Sequence, residues 1–165
     1  MFVDIGTFAF SRAQQARFKS GELWNEWVCQ YPNIFDDRDI DLVRTQGSSG
    51  VHFYEWLAAV LIFNTTGYLS LVEKYESPSH PRKYEIFSSI ISKELLDLVL
   101  DYEIFGGTQC PDLFVYSPDF SDWFFCEVKG QGDRIRSTQK AYFEELSRVA
   151  GRPIRVVKFK VTKIN

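Results

Sequence analysis

Cysteine is scarce in this sequence and forms no disulfide or metal-binding pattern. The three cysteines, Cys29, Cys110 and Cys126, are odd in number and include no CxxC pair. This excludes a disulfide scaffold and predicts reduced thiols in an intracellular, cytoplasmic protein. Together with His52 and His80, the cysteines lack the spacing of the usual zinc clusters, so no zinc site is predicted.

Long hydrophobic runs, internal repeats and low-complexity tracts are also missing. The longest apolar run, WLAAVLIF, is much shorter than the roughly 20 residues that a membrane-spanning helix needs. The first ten residues, MFVDIGTFAF, contain an acid at Asp4 and no basic residue, which argues against a secretory signal. We therefore expect no membrane partner.

An excess of basic charge, common in nucleic-acid-binding proteins, is absent from the chain as a whole. The formal net charge is −3, but the segment from Lys129 to Lys163 contains ten basic and three acidic residues. The rest of the chain contains nine basic and nineteen acidic residues. This asymmetry indicates a basic face beside an acidic body. A solvated helix and an edge strand rich in Lys and Arg would explain the same counts.

Apolar residues, by contrast, are plentiful enough for a hydrophobic core. Of the 165 residues, 45% are apolar and 16% are aromatic, which suits one compact α/β domain with a helical appendage. We assign residues 1–45 to an N-terminal helical extension, where RAQQARFKSGELWNEWVCQY predicts one or two helices, and residues 46–165 to the core. The charged, turn-rich segment PNIFDDRDIDLVRTQGSSG predicts a loop or short linker.

Helical and strand-like patterns then alternate through the core. VHFYEWLAAVLIF predicts a largely buried helix with Glu55 near its start, GYLSLVEKYE a following strand, and residues 84–101 a single helix. The period changes after Gly106 and Gly107, where DLFVY and DWFFCEVK predict two strands joined by a turn. A helix capped by Ser137 and a final strand, IRVVKFKV, complete a small mixed β-sheet with a parallel crossover.

Three charged residues lie in the most hydrophobic stretch, CPDLFVYSPDFSDWFFCEVKG. Glu127 and Lys129 are two apart on a predicted strand and so share one face of the sheet, while Asp112 begins the neighbouring strand. Buried charges are costly unless they are paired or bind a metal. Two close carboxylates suit Mg²⁺ or Mn²⁺, which could ionise a water nucleophile beside Lys129. A salt bridge from Lys129 to either carboxylate is the alternative.

The segment GQGDRIRS follows Lys129 directly. Gly130 and Gly132 allow the backbone to approach a phosphate closely, and Arg134 and Arg136 supply positive charge. The N-terminus of the next helix adds the positive end of a dipole. We therefore expect phosphate contact here, against the alternative of a flexible turn with solvated arginines.

These segments resemble a known nuclease superfamily. PDLFVY followed by WFFCEVKGQGDRIRSTQKAYFEEL is similar to the PD-(D/E)XK nucleases, and EVKGQGDRIRSTQ resembles their VRR-NUC branch, the virus-type replication-repair nuclease domain. The resemblance spans residues 107–161 and implies a restriction-endonuclease-like α/β core. Asp112 and Glu127 then match the family's metal ligands, and Lys129 its catalytic lysine. Gln139 matches a helix glutamine near the site, which could bind a water or a phosphate.

The resemblance also implies an acidic residue on the helix that precedes the core sheet. Glu55 is our candidate for this catalytic residue and metal ligand, with an ordinary solvent-facing Glu as the alternative. Glu73 and Glu85 are weaker candidates for the same position. The backbone carbonyl of Val128 completes the expected metal ligands, and Lys140 joins the preceding glycines and arginines as a nucleic-acid contact.

The function implied by the resemblance is that of a Mg²⁺- or Mn²⁺-dependent DNA endonuclease. It also implies branched DNA, such as a Holliday junction or a flap, as the substrate, and a bacterial or phage-like source. A homodimer with the aromatic N-terminal helices at its interface fits the same expectation. The alternatives are a restriction-like or defence nuclease, a non-catalytic nucleic-acid-binding module of the same fold, and a protein–protein adaptor built on the N-terminal half.

Overall fold

The fold is a mixed α/β arrangement around one sheet, seen in a computed structural model that describes residues 1–101 and 109–162. Gly106 and Gly107, after which the sequence pattern is predicted to change from helical to strand-like, lie outside these residues. The strands are β1 (Phe2–Phe10), β2 (Leu69–Val72), β3 (Leu113–Tyr116), β4 (Trp123–Lys129) and β5 (Ile154–Val161). The helices are α1 (Arg12–Lys19), α2 (Glu22–Gln30), α3 (Asp37–Gln46), α4 (Phe53–Thr66), α5 (Pro81–Ile90), α6 (Lys93–Leu100) and α7 (Ser137–Ala150).

The five strands form one sheet in the order β1-β5-β4-β3-β2. β3 is antiparallel to both β2 and β4, whereas β5 is parallel to both β4 and β1. The predicted hairpin and the predicted parallel crossover through α7 are therefore confirmed. The expectation of a small mixed sheet flanked by helices is confirmed as well.

Two hydrophobic clusters cover the faces of the sheet, and alternate strand residues divide between them. Leu113 and Val115 belong to the first cluster, which includes residues of α1, α2 and α4. Phe114 and Phe125 belong to the second, which includes residues of α5, α6 and α7. Because side chains alternate along a strand, Glu127 shares the face of Phe125 and points towards α7. This alternation decides which helices can contact the charged residues of β4.

The first ten residues form a strand that the sequence analysis does not predict. β1 lies at the edge of the sheet and pairs with β5, with a register shift between Asp4 and Gly6. Most of its side chains are exposed or half-buried, so the segment lacks the clear apolar alternation of a buried strand. β1 pairs with β5, and the first hydrophobic cluster contains residues from both sides of the domain boundary predicted after residue 45. The boundary itself stays a prediction.

The aromatic residues of α2 are part of the chain's own core. Trp24 and Trp27 are almost fully buried, and the Trp24 ring lies 5.1 Å from that of Trp56 on α4. They are therefore not available at the surface for the dimer interface that the sequence analysis expects. The homodimer itself stays a prediction.

The segment predicted to be a loop contains α3, so that prediction is wrong. The Asp39 N–H donates to Asp36 Oδ1 (2.8 Å), and the Asp36 N–H donates to Asp39 Oδ2 (3.3 Å), a reciprocal cap that begins the helix. Asp39 is buried against Lys83, whose Nζ lies 2.6 Å from Asp39 Oδ1. The acidic residues that suggest a solvated loop instead cap a helix and form a buried ion pair.

The single helix predicted over residues 84–101 is two helices, and the prediction is wrong on this point. α5 ends at Ile90, and Ile91 is extended (φ −86°, ψ 160°). The Ser92 hydroxyl then accepts a hydrogen bond from the Leu95 N–H and begins α6. The apolar spacing of three and four continues across the break, which is why periodicity alone does not reveal it.

Across residues 1–101 and 109–162, no helix is long and apolar enough to cross a membrane.

Candidate active site

The β3–β4 hairpin brings Asp112 and Glu127 together. Asp112 immediately precedes β3, and its Oδ2 accepts a hydrogen bond from the Val128 N–H at 2.7 Å. The Asp112 N–H in turn lies 3.4 Å from Glu127 Oε2. These backbone contacts hold the Asp112 and Glu127 side chains next to each other at the start of β3. Val128 is buried. The assignment of its backbone carbonyl as a metal ligand stays a prediction.

Lys129 lies on the same face of β4 as Glu127. Lys129 Nζ is 2.6 Å from Glu127 Oε1, and Glu127 is only 1% exposed. The salt bridge that the sequence leaves open as the alternative is therefore present. It neutralises one carboxylate at most, and the half-buried carboxylate of Asp112 is close enough for the charge of Glu127 to raise its pKa.

Glu55, on the first turn of α4, belongs to the same electrostatic cluster. Burial raises the pKa of Glu55, and the nearby carboxylates of Glu73 and Glu127 raise it further. Burial also raises the pKa of Asp112 well above its usual range, followed by the charges of Glu127 and Glu55. The solvent-facing alternative for Glu55 does not describe its position. If all three were ionised, Asp112, Glu55 and Glu127 would carry more negative charge than one lysine can neutralise.

Gln139 connects the start of α7 to Glu127. Its Nε2 donates to Glu127 Oε1 (3.1 Å), while its Oε1 accepts from the Arg136 backbone N–H (3.1 Å). Arg136 is thus the N-cap position and Ser137 the first residue of α7, so the prediction that Ser137 caps the helix is wrong. The side chain of Gln139 therefore orients the Glu127 carboxylate and also caps the N-terminal end of α7.

The turn after Lys129 is tightly packed at its first glycine. The Gly130 N–H donates to Asp133 Oδ2 (3.1 Å), and a Cβ at Gly130 would lie 2.7 Å from a ring carbon of Tyr54. Gly132 has a φ of +86°, in the left-handed region that favours glycine. Because the Gly130 N–H is occupied, a backbone contact from Gly130 to a phosphate would require the turn to rearrange.

Three basic side chains of this region are exposed. Arg134 and Arg136 lie in the turn, and Lys140 lies on the first turns of α7. In the described part of the chain, neither arginine side chain has an ion-pair partner, and Lys140 Nζ is 4.0 Å from Glu144. The charges of the two arginines are therefore available to a polyanion.

His52 and Glu73 border the cluster, and the sequence analysis does not place them together. His52 Nδ1 lies 2.9 Å from Glu73 Oε1, and the Glu73 N–H donates to the Asp112 carbonyl at 2.9 Å. Glu85, the other weaker candidate for the upstream acid, is exposed on α5. The one signal that the sequence offers is the position of His52, three residues before Glu55, at the start of a buried helix.

Within the described residues, no cysteine joins a group of side chains close enough to bind a metal ion. Burial raises the pKa of the Cys110 and Cys126 thiols, and Cys29 is exposed. In residues 1–101 and 109–162, the group of His, Cys, Asp and Glu side chains close enough to hold an ion is His52, Glu55 and Glu73.

Comparisons with known proteins identify no family for this chain. No protein-family model matches it, and no curated protein matches it significantly. A solved crystal structure of paFAN1 bound to DNA with a two-nucleotide 5′ flap and a gap has 18% sequence identity and a TM-score of 0.32. The similarity covers 69% of this chain and 25% of that one, so this chain spans about a quarter of paFAN1. A similarity of this size does not indicate function.

Proposed function

We propose that this protein is a metal-dependent DNA endonuclease. The observation that carries the proposal is the convergence of Asp112, Glu127 and Glu55 with Lys129 in a largely buried site beside exposed basic residues. Gathering these carboxylates costs the fold stability, because burial and neighbouring carboxylates raise the pKa values of Asp112 and Glu55. Metal-dependent hydrolysis of a phosphodiester, by contrast, uses such a group of carboxylate ligands.

The chemistry of these carboxylates suits a divalent cation, which would draw Asp112, Glu127 and Glu55 closer together than they lie in this structure. Asp112, Glu127 and Glu55 offer hard oxygen ligands, the type that Mg²⁺ and Mn²⁺ prefer, and the Val128 carbonyl is a further candidate. Their excess negative charge would be offset by such an ion. When bound, a divalent cation lowers the pKa of a water nucleophile and stabilises negative charge on the scissile phosphate.

Lys129 and Gln139 have separate roles in the proposal. The Lys129 ammonium, paired with Glu127 at 2.6 Å, can turn to a phosphate oxygen and stabilise the negative charge of the transition state. Gln139 is a positioning residue, because its amide fixes the orientation of the Glu127 carboxylate. Apolar residues of β3 and β4 belong to the two hydrophobic clusters, and Glu55, Asp112 and Lys129 remain partly exposed.

The exposed basic residues provide the DNA contact in this proposal. Arg134 and Arg136 lie in the turn that follows Lys129, and Lys140 lies near the start of α7, where a helix N-terminus also favours phosphate. Gly130 and Gly132 give this turn its conformation and bring it close to Lys129. A DNA backbone lying along the turn would place a phosphodiester over the site.

Replacing Arg134 and Arg136 by Ala should weaken DNA binding and make it less dependent on salt. Removing one arginine–phosphate interaction reduces the slope of log K against log[salt] by about 0.9, so removing both should reduce it by about 1.8. Fluorescence anisotropy with labelled DNA over a salt series measures this slope. The matched control is the double variant Arg44→Ala, Arg148→Ala, which removes two exposed arginines elsewhere. An equal slope in the two double variants would contradict the assigned contact.

Branched DNA is the substrate class that we propose, with a homodimer as the active form. The substrate class can be tested by measuring cleavage in Mg²⁺ or Mn²⁺. The DNA substrates are a single strand, a duplex, a 5′ flap, a 3′ flap and a four-way junction. Faster cutting of flaps or junctions than of linear duplex is the expected result. Equal cutting of all duplex substrates would contradict structure specificity and favour a restriction-like or defence nuclease. Binding without cutting would favour a non-catalytic module.

A further inference from the structure

A cavity lies between α3, the start of α4 and the end of β2. The apolar part of its lining is formed by the side chains of Leu42, Val43, Val51, Trp56 and Val72. Its volume is about 60 Å³, which is room for roughly four to six water molecules. This is comparable with the space that one nucleobase ring fills. A cavity with such walls favours a flat, partly apolar ligand over a simple ion.

Polar groups line the same cavity, and one of them is buried without a partner. His80 is only 8% exposed, and its Nδ1 has no hydrogen-bond partner in the part of the chain that the structure describes. A buried polar atom left unpaired is costly, and a ligand that bonds to it removes that cost. Gln46 and Lys74 also line the cavity and are exposed. These groups can donate to and accept from the polar edge of a base.

The position of the cavity decides which ligand it takes, because His80 also borders a neighbouring cavity. His52 and Glu73, which border the candidate active site, line the apolar cavity as well. The Glu73 N–H donates to the Asp112 carbonyl at 2.9 Å, so this wall is fixed to the site. A DNA strand whose phosphodiester lies over Asp112 and Lys129 therefore has an adjoining nucleotide beside the cavity.

We propose that this cavity, called the base cavity below, takes the base of an unpaired nucleotide next to the scissile phosphate. Taking a base out of a duplex costs its stacking and pairing, and this cost is least where the base is already single-stranded. Flaps and junctions offer such bases, whereas linear duplex does not. The inference rests on the proposed function and deepens it, because it gives the preference for branched DNA a structural cause.

Abasic substitution in the DNA tests the base cavity. The probe is a series of fluorescent 5′-flap DNAs, each with one nucleotide near the junction replaced by an abasic analogue. Fluorescence anisotropy in EDTA measures their affinities without metal-dependent cutting. Wild type should lose affinity about tenfold at one unpaired position, the usual effect of losing one stacked base, and much less at its neighbours. Equal affinity across the series would overturn the base cavity.

Filling the base cavity should remove this dependence on position. Val51→Trp and Leu42→Trp each add a large side chain at an exposed position of the lining. Each should bind the intact flap about tenfold more weakly, and no abasic position should weaken binding further. Leu100→Trp, at an exposed leucine that ends α6, is the control and should bind as wild type does.

Folding is checked by circular dichroism and thermal unfolding, and if one tryptophan variant of the lining has lost its fold, the other decides. A folded variant that keeps the position dependence of wild type would overturn the base cavity.

The outcome is separable from the fate of the nuclease proposal. A position-dependent loss of affinity in a protein that cuts no DNA with Mg²⁺ or Mn²⁺ would contradict the nuclease and leave the base cavity standing. Cleavage of flaps by a protein with equal affinity across the abasic series would do the reverse. A folded protein that binds no DNA would contradict both.

Discussion

Replacing Glu127 by Gln is expected to abolish DNA cleavage while the protein stays folded. Glu127 accepts hydrogen bonds from Lys129 and Gln139 and is nearly fully buried, so a neutral amide of the same shape keeps the packing. The substitution removes a charged metal ligand. Losing several kcal/mol of metal-assisted stabilisation of the transition state lowers the cleavage rate by about 10³-fold or more. Single-turnover cleavage of a labelled flap substrate measures the loss.

The control for this variant is Glu144→Gln, which neutralises an exposed carboxylate on α7. It should cleave within a few-fold of wild type, and both variants should unfold at temperatures close to that of wild type. Cleavage by folded Glu127→Gln at a rate near that of wild type would contradict the metal-site assignment.

Lys129→Met is expected to lower the cleavage rate by about 10²- to 10³-fold, the usual effect of removing one group that stabilises transition-state charge. Methionine keeps most of the length and apolar contact of the lysine, so the missing element is the ammonium 2.6 Å from Glu127. Mn²⁺ binding should persist, because no ligand has been removed. Cleavage rates and Mn²⁺ titrations on the same preparation separate the two effects.

Lys93→Met provides the comparison for this change, because Lys93 is exposed at the start of α6. It should leave cleavage unchanged. If Lys129→Met cleaved as fast as Lys93→Met, Lys129 would be only the partner of a structural salt bridge.

The centre of the candidate site can be predicted from the sequence because local patterns determine it. Glu127 and Lys129 are two residues apart on a strand, so they must share a face wherever that strand lies in the sheet. Asp112 comes next to them because the turn after β3 sets the register of the hairpin, with Leu113 opposite Cys126. Gln139 lies within the first turn of the following helix. Each of these placements needs only short-range information.

The rest depends on tertiary contacts that local patterns do not contain. β1 is held by pairing with β5, more than 150 residues away in the chain, and its own sequence alternates weakly. α3 depends on the buried ion pair between Asp39 and Lys83, in which an apparently solvated acid is fully enclosed. Glu73 reaches the site through an unusual left-handed backbone after β2. Neither composition nor periodicity indicates such a conformation at a glutamate.

The most direct measurement is cleavage of a labelled 5′-flap DNA by wild-type protein that has been freed of metal with EDTA. The proposal that the buried carboxylates and Lys129 hydrolyse phosphodiesters with a divalent cation predicts no cutting in EDTA. It predicts cutting that returns when Mg²⁺ or Mn²⁺ is added in excess. Cutting that persists in EDTA, or a folded protein that cuts neither flap nor any other DNA with either metal, would contradict it.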